Sequence, residues 1–213
     1  MSPQRKSKQA YHHGNLAESL LDAVDEIATK FGMEAVTLRA CAKLIGVSPS
    51  SAFRHYADKR SLMTAFATRA LLQLSAAMAT AKAETIESGS DPFLSVSLAY
   101  VRFALEKPAF FRAMWSEETL YTADVDYVAA TASMSEHLQG GFANTLADSD
   151  ASALSSQELL AWSAVHGLAA LYVDGPVGKE ESTARRLVRA EEMIKVLAPA
   201  LGMAPGAVPA QDS

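Results

Sequence analysis

Apolar residues recur along this chain at steps of three and four, and nowhere do they alternate at the step of two that a half-buried strand requires. The first such stripe, Leu16, Leu20, Val24, Ile27 and Phe31, predicts an amphipathic helix with Asn15 as its cap and Gly32 as its stop. A second begins at Lys59 behind a capping Asp58 and carries Leu62, Phe66, Ala70 and Leu74 to about Ala83. Thr85 to Pro92 reads as a loop, after which helical runs are expected over 92–106, 108–115, 124–147, 156–174 and 182–198, with Pro199 stopping the last. No apolar run approaches the length needed to span a bilayer. The expected fold class is all-α.

Between the first two stripes, Thr37 to Tyr56 reads as two short helices joined by a tight turn. Gly46 stands where a helix end needs positive φ, Ser48 can cap the second helix, and Pro49 falls in its first turn, where a missing N–H costs nothing. Leu38, Cys41, Ala42, Ile45, Val47, Ala52 and Tyr56 can face inward. The face left free carries Ser48, Ser50, Ser51, Phe53, Arg54 and His55, without an acid. A helix that enters a major groove about 12 Å wide needs that composition, since carboxylates are repelled by phosphate and bulky aliphatics keep a helix from base edges. The spacing reads as a helix-turn-helix; an ordinary hairpin with a solvated polar face is the alternative. Backbone N–H groups at the start of the next helix, with Lys59 and Arg60, would make a phosphate-binding end.

Charge adds an asymmetry. The net charge of −5 over 213 residues argues against a nucleic-acid partner, but residues 1–60 hold 9 Lys and Arg against 6 Asp and Glu, leaving 10 against 18 for the rest. This is a basic end on an acidic body. Residues 1–14, with Arg5, Lys6 and Lys8, are expected to form a mobile basic arm, and 202–213 a disordered tail. The N-terminus lacks the apolar segment of a signal peptide, so a cytoplasmic protein is expected. Cys41, the one cysteine, excludes an internal disulfide and reads as a buried small residue. Adjacent His12 and His13 point to different helix faces with no third ligand in sight, so no metal and no cofactor are expected.

Aromatic and Met residues crowd the middle of the body, including Phe93, Tyr100, Phe110, Tyr121, Phe142 and Tyr172. Core packing explains such a set. The sharper reading is a cavity for a small molecule, with Phe103, Phe111, Met114, Trp115, Tyr127, Met134, Trp162 and His166 as candidate lining and His166 as its polar member. Leu160, Val165, Leu168 and Leu171, with Leu187, Ala190, Ile194 and Leu197, give the last two helices apolar faces that would make a four-helix interface in a homodimer, or pack within one chain.

Over Tyr11–Phe66, the YHHGNL entry, the TLRACAKLIGVS block and FRHYADKRSLM resemble the TetR family of bacterial transcriptional regulators. Trp162, His166 and Gly167 resemble the Trp-x-x-x-His-Gly element of one branch. The resemblance implies a three-helix DNA-binding head over 15–58, and a helical ligand-binding and dimerisation body over 59–201 whose first part, 59–83, connects the two. It also implies DNA contacts from Thr37, Arg39, Ser48, Ser50, Ser51, Phe53, His55, Tyr56 and Lys59. Phe53 stands where members commonly have a tyrosine that reaches phosphate, leaving contact with a thymine methyl. The function expected is a homodimeric repressor of a palindromic operator in double-stranded DNA, released by an unknown small molecule. The alternative keeps the DNA-binding dimer but makes the body a protein-interaction or purely dimeric scaffold. An enzyme using His166 with Asp174, Tyr172 or Glu158 lacks any nucleophile–base arrangement in the sequence.

Overall fold

A computed structural model of the chain describes residues 16–88, 91–140 and 155–201. The expected basic arm, the Asn15 cap, His12 and His13, Phe142, the end of the run predicted to reach 147 and the tail from 202 lie outside the described residues. Within them there are nine α-helices and two short 3-10 turns, and no strand. The helices are α1 (Leu16–Phe31), α2 (Leu38–Ile45), α3 (Pro49–His55), α4 (Lys59–Ser88), α5 (Pro92–Glu106), α6 (Pro108–Met114), α7 (Val125–Gly140), α8 (Ser156–Val173) and α9 (Thr183–Ala200).

The ends of these helices follow local chemistry. Thr37 Oγ1 accepts from the Ala40 N–H at 3.0 Å, opening α2. Gly46 closes it at φ 77°, with its own N–H on the Lys43 carbonyl and the Val47 N–H on the Ala42 carbonyl. That pair of bonds satisfies two carbonyls a helix end leaves open, and the left-handed residue between them favours glycine. Asp58 caps α4 reciprocally: its Oδ1 accepts from Ser61 N at 2.7 Å while its N–H donates to Ser61 Oγ. Ser155 and Glu158 form a full capping box at α8.

Helix α1 packs on α2 and α3, and also reaches α4 and α6. The long α4 runs from this head into the body, where α5, α6 and α7 cover it, and α8 and α9 pack chiefly on α5. Leu62, Phe66, Ala70 and Leu74, the stripe read from the sequence, are wholly buried. Phe66 meets Phe110 at a ring-centroid distance of 4.5 Å, so the seam between connector and body is aromatic.

Four expectations are corrected. Phe31 is 73% exposed: the buried face of α1 ends with Ile27 and Ala28, and Val36, arriving from the turn Met33–Ala35, supplies the next fully buried side chain. Thr85 to Ser88 belongs to α4 rather than to a loop, and Thr85 is buried with its hydroxyl donating to the Ala81 carbonyl. Pro199 lies inside α9, one residue before its end. Finally, Lys59–Thr85 is long and apolar enough to cross a membrane by length and composition, but 56% of its apolar window is buried in the body, the use a core helix makes of the same composition.

Candidate nucleic-acid interface and aromatic cluster

The second helix of the hairpin, α3, presents its polar face outward. Ser48 Oγ accepts from Ser51 N at 3.2 Å and lies 2.9 Å from the hydroxyls of both Ser50 and Ser51. Arg54 Nη2 donates to Ser51 Oγ at 3.0 Å. The cap, the next turn and the arginine are therefore one network, which holds the guanidinium along the helix face. Pro49, Ser50, Phe53, Arg54 and His55 are exposed, as are Thr37, Arg39 and Lys59 on either side. Residues 35–57 contain no acid.

Two members of the expected interface are turned elsewhere. Tyr56 is half-buried, its hydroxyl donates to the Ala17 carbonyl of α1 at 3.4 Å, and burial pushes its pKa up to about 12. It ties α3 to α1. Arg60, read as part of a phosphate-binding end, donates from Nε to the Leu120 carbonyl at 2.8 Å and stacks over the Tyr121 ring at 4.7 Å. Tyr121 in turn donates its hydroxyl to Asp58 Oδ2 at 2.7 Å and its N–H to Thr64 Oγ1 at 2.9 Å. The segment between α6 and α7 thus grips the first turn of α4, directly behind α3. The hydrogen bond from Tyr121 is the leading cause that lowers the Asp58 pKa below the usual carboxylate value. The sequence did not single out this grip, because it joins residues about sixty positions apart and none of them is unusual locally.

In the body, Phe111, Trp115, Trp162 and His166 come together around Tyr100. Tyr100 OH lies 2.8 Å from His166 Nδ1, and the rings of Trp115 and Phe111 stand 4.7 and 5.5 Å from the imidazole. Burial holds the His166 pKa below its ordinary value and raises that of Tyr100. Both indole N–H groups lean on the Tyr100 hydroxyl, yet neither completes a hydrogen bond. Trp115, Trp162 and His166 are half-buried, so the cluster reaches the surface. Met114 is buried, and Phe103 stacks on Phe110 at 6.4 Å instead of on these rings. Tyr127 and Met134 are buried on α7.

The groups that an enzyme reading would have needed beside His166 are engaged elsewhere. Glu158 completes the α8 cap, Asp174 Oδ1 takes Arg112 Nε at 2.6 Å, and Tyr172 OH donates to the Arg186 carbonyl. On the last two helices, Val165, Ala190 and Ile194 are buried within the chain, whereas Leu160, Leu171, Val188 and Val196 stay exposed. Leu160 and Leu171 belong to the stripe read from the sequence of α8, whereas on α9 the exposed apolar residues, Val188 and Val196, lie outside it.

Residues 20–66 match the family described as bacterial regulatory proteins, tetR family, and residues 93–197 match a tetracyclin repressor-like C-terminal domain. The chain belongs to the TetR family. It is 33% identical over 100 residues to YobS of Bacillus subtilis, an uncharacterized HTH-type transcriptional regulator; the match covers 47% of the chain and about half, 51%, of YobS. A protein of unknown function from Rhodococcus sp. RHA1 has a similar structure, with a TM-score of 0.67 and 25% identity over 88% of this chain and 97% of that one. The TetR family regulator PfmR of Thermus thermophilus shares the fold at a TM-score of 0.58 and 18% identity, over 84% of this chain and 96% of PfmR.

Proposed function

We propose that this TetR-family chain is a homodimeric, sequence-specific DNA-binding regulator, a repressor whose α3 enters the major groove of a palindromic operator. The observation that carries this reading is the exposed, acid-free face of α3, fixed by the Ser48–Ser51–Arg54 network and flanked by exposed Arg39 and Lys59. Side chains held in one rotamer lose less entropy on meeting base edges. On this reading 15–58 is the DNA-binding unit and 59–201 the regulatory one. Leu160, Leu171, Val188 and Val196 supply an apolar face through which α8 and α9 pair with a second copy.

Release by a small molecule at the aromatic cluster follows from population shift. A ligand that binds one arrangement of the body more tightly moves the equilibrium, and the grip of Tyr121 and Leu120 on Asp58 and Arg60 carries the change to α3. The Trp162, His166 and Gly167 element fits this role, since its histidine is the polar centre of the cluster. A second reading, a body that only dimerises or binds a protein, is favoured by the mutual packing of these rings, which fill much of the space a ligand would need.

The deciding experiment compares affinity for a selected palindromic site with that for random duplex at one fixed salt concentration, with the protomer count measured in the same sample. A large preference with two protomers per site is expected. Equal weak binding to both would end the regulator reading.

A further inference from the structure

A cleft of about 570 Å³ lies along α4, where α1 and the start of α7 flank it, and shares Tyr56 and Tyr121 with the contacts behind α3. That volume is in the range of pockets for small organic molecules, about 300–1,000 Å³. Leu21 and Leu72 supply apolar surface, and Tyr56 and Tyr121 supply ring edges. Leu72 is 52% exposed, so the cleft opens to solvent beside it.

Its polar groups are biased toward accepting. Among the described residues, Glu18, Asp124 and Asp126 line the cleft against a single cation, Arg69, whose Nη1 is 2.7 Å from Asp22 Oδ1 and 3.5 Å from Glu18 Oε2. The hydroxyls of Ser61, Thr64 and Thr68 spend their protons on helix carbonyls, those of Asp58, Arg60 and Thr64 respectively. A hydroxyl whose proton is committed offers only lone pairs, of which Ser61 and Thr64 already give one each to the N–H groups of Asp58 and Tyr121. The Tyr56 and Tyr121 hydroxyls are likewise donated, to Ala17 and to Asp58. The face of the Tyr121 ring already carries a guanidinium, from Arg60.

We propose that this cleft binds a small organic ammonium ion, an amine carried on an apolar or aromatic body. The N–H⁺ group meets the carboxylate of Asp126, that of Asp124, whose Oδ1 also accepts the Asp126 and Tyr127 N–H groups, and the spent hydroxyls of α4, while the apolar part lies on Leu21 and Leu72. The walls come from the helical head as well as from the body, so the bound molecule touches both.

The test is a fluorescence titration of the full chain with naphthylmethylamine, with naphthylmethanol as a neutral counterpart of the same shape. It needs no DNA, so its failure is separable from failure of the regulator reading. The amine should bind at least about tenfold more tightly, one power of ten corresponding to about 1.4 kcal/mol. Asp126→Asn should reduce amine binding severalfold and leave the alcohol unchanged, and Leu72→Trp, at a position 52% exposed, should block the amine by filling the cleft. Equal binding of amine and alcohol, or amine binding untouched by Leu72→Trp, would overturn the proposal.

Discussion

The outward face of α3 and the aromatic cluster of the body solve the same problem, placing polar groups beside apolar ones, in opposite ways. On the outward face of α3 the polar contacts are local: Ser48 to Ser50 and Ser51, and Ser51 to Arg54, spans of two or three residues. In the cluster the central bond joins Tyr100 to His166, 66 positions apart, and two indole N–H groups remain without an acceptor. Local bonds can form on an isolated helix turn, whereas distant ones need the fold complete. The head's chemistry should therefore tolerate loss of body packing better than the cluster does.

The largest break in that contrast is Phe66→Ala. Phe66 is fully buried in α4 at the seam with Phe110, and such a truncation in a packed core costs about 3–5 kcal/mol. Denaturant unfolding should show a lower midpoint. Loss of tertiary aromatic signal should precede loss of helicity if the head's local bonds outlast the body's packing. A single coincident transition would show that head and body unfold as one.

Tyr100→Phe is more selective. It keeps the ring and removes the hydroxyl, leaving His166 Nδ1 without that partner at a cost of about 1–3 kcal/mol. The histidine also gives a pH dependence. Its folded pKa is depressed by burial, so the unfolded chain takes up the proton first as pH falls. The contribution to stability is complete above the ordinary histidine pKa, about 6.5, and is lost as pH falls from there through the folded value. Denaturation midpoints measured between about pH 8 and about pH 5 should decline in the native protein and decline less in His166→Gln.

The same local-versus-distant distinction explains what could be read from sequence. Helix positions, the Gly46 turn, the Ser48 cap and the exposed face of α3 were legible because each depends on neighbours within four residues. The buried stripe of α4 was legible for the same reason. The partner of His166 was not, since nothing within one helix distinguishes Tyr100 from other buried aromatics of α5. Nor could the sequence reveal that Arg60, in the first turn of α4, is held by the Leu120 carbonyl and the Tyr121 ring. Phe31 misled because its period matches the stripe while its position at the last residue of α1 takes it past the packing surface.

On the DNA side, effects should be smaller and sortable. Lys59 is exposed and takes no part in the grip that holds Arg60, so Lys59→Ala should leave the fold intact. It should weaken binding to palindromic and random duplex alike and reduce the slope of log affinity against log salt by about one. Ser50→Ala, on the outward face, should change which sequences are preferred and leave that slope alone. A salt series on the two variants checks both, and identical behaviour would contradict the division into phosphate and base contacts.

Tyr121→Phe is expected to be the mildest change, and it isolates the grip. Only the hydroxyl leaves; the ring remains under Arg60, and the backbone N–H still reaches Thr64. Asp58 loses the hydrogen bond that contributes most to lowering its pKa but keeps the Ser61 N–H, so its titration should move up toward the ordinary carboxylate value without reaching it. A group with a depressed folded pKa stabilises above its ordinary value, about 3.9, and loses that stabilisation as pH falls through the folded one. The variant should therefore be slightly less stable than the native protein at neutral pH, and the gap should close on the acid side, where Asp58 is protonated in both. Carboxylate titration by NMR with parallel unfolding at several pH values measures this. If the Asp58 titration does not move, the Tyr121 hydroxyl does not hold the turn behind α3, and coupling between body and head must then run through Arg60 and the packed length of α4.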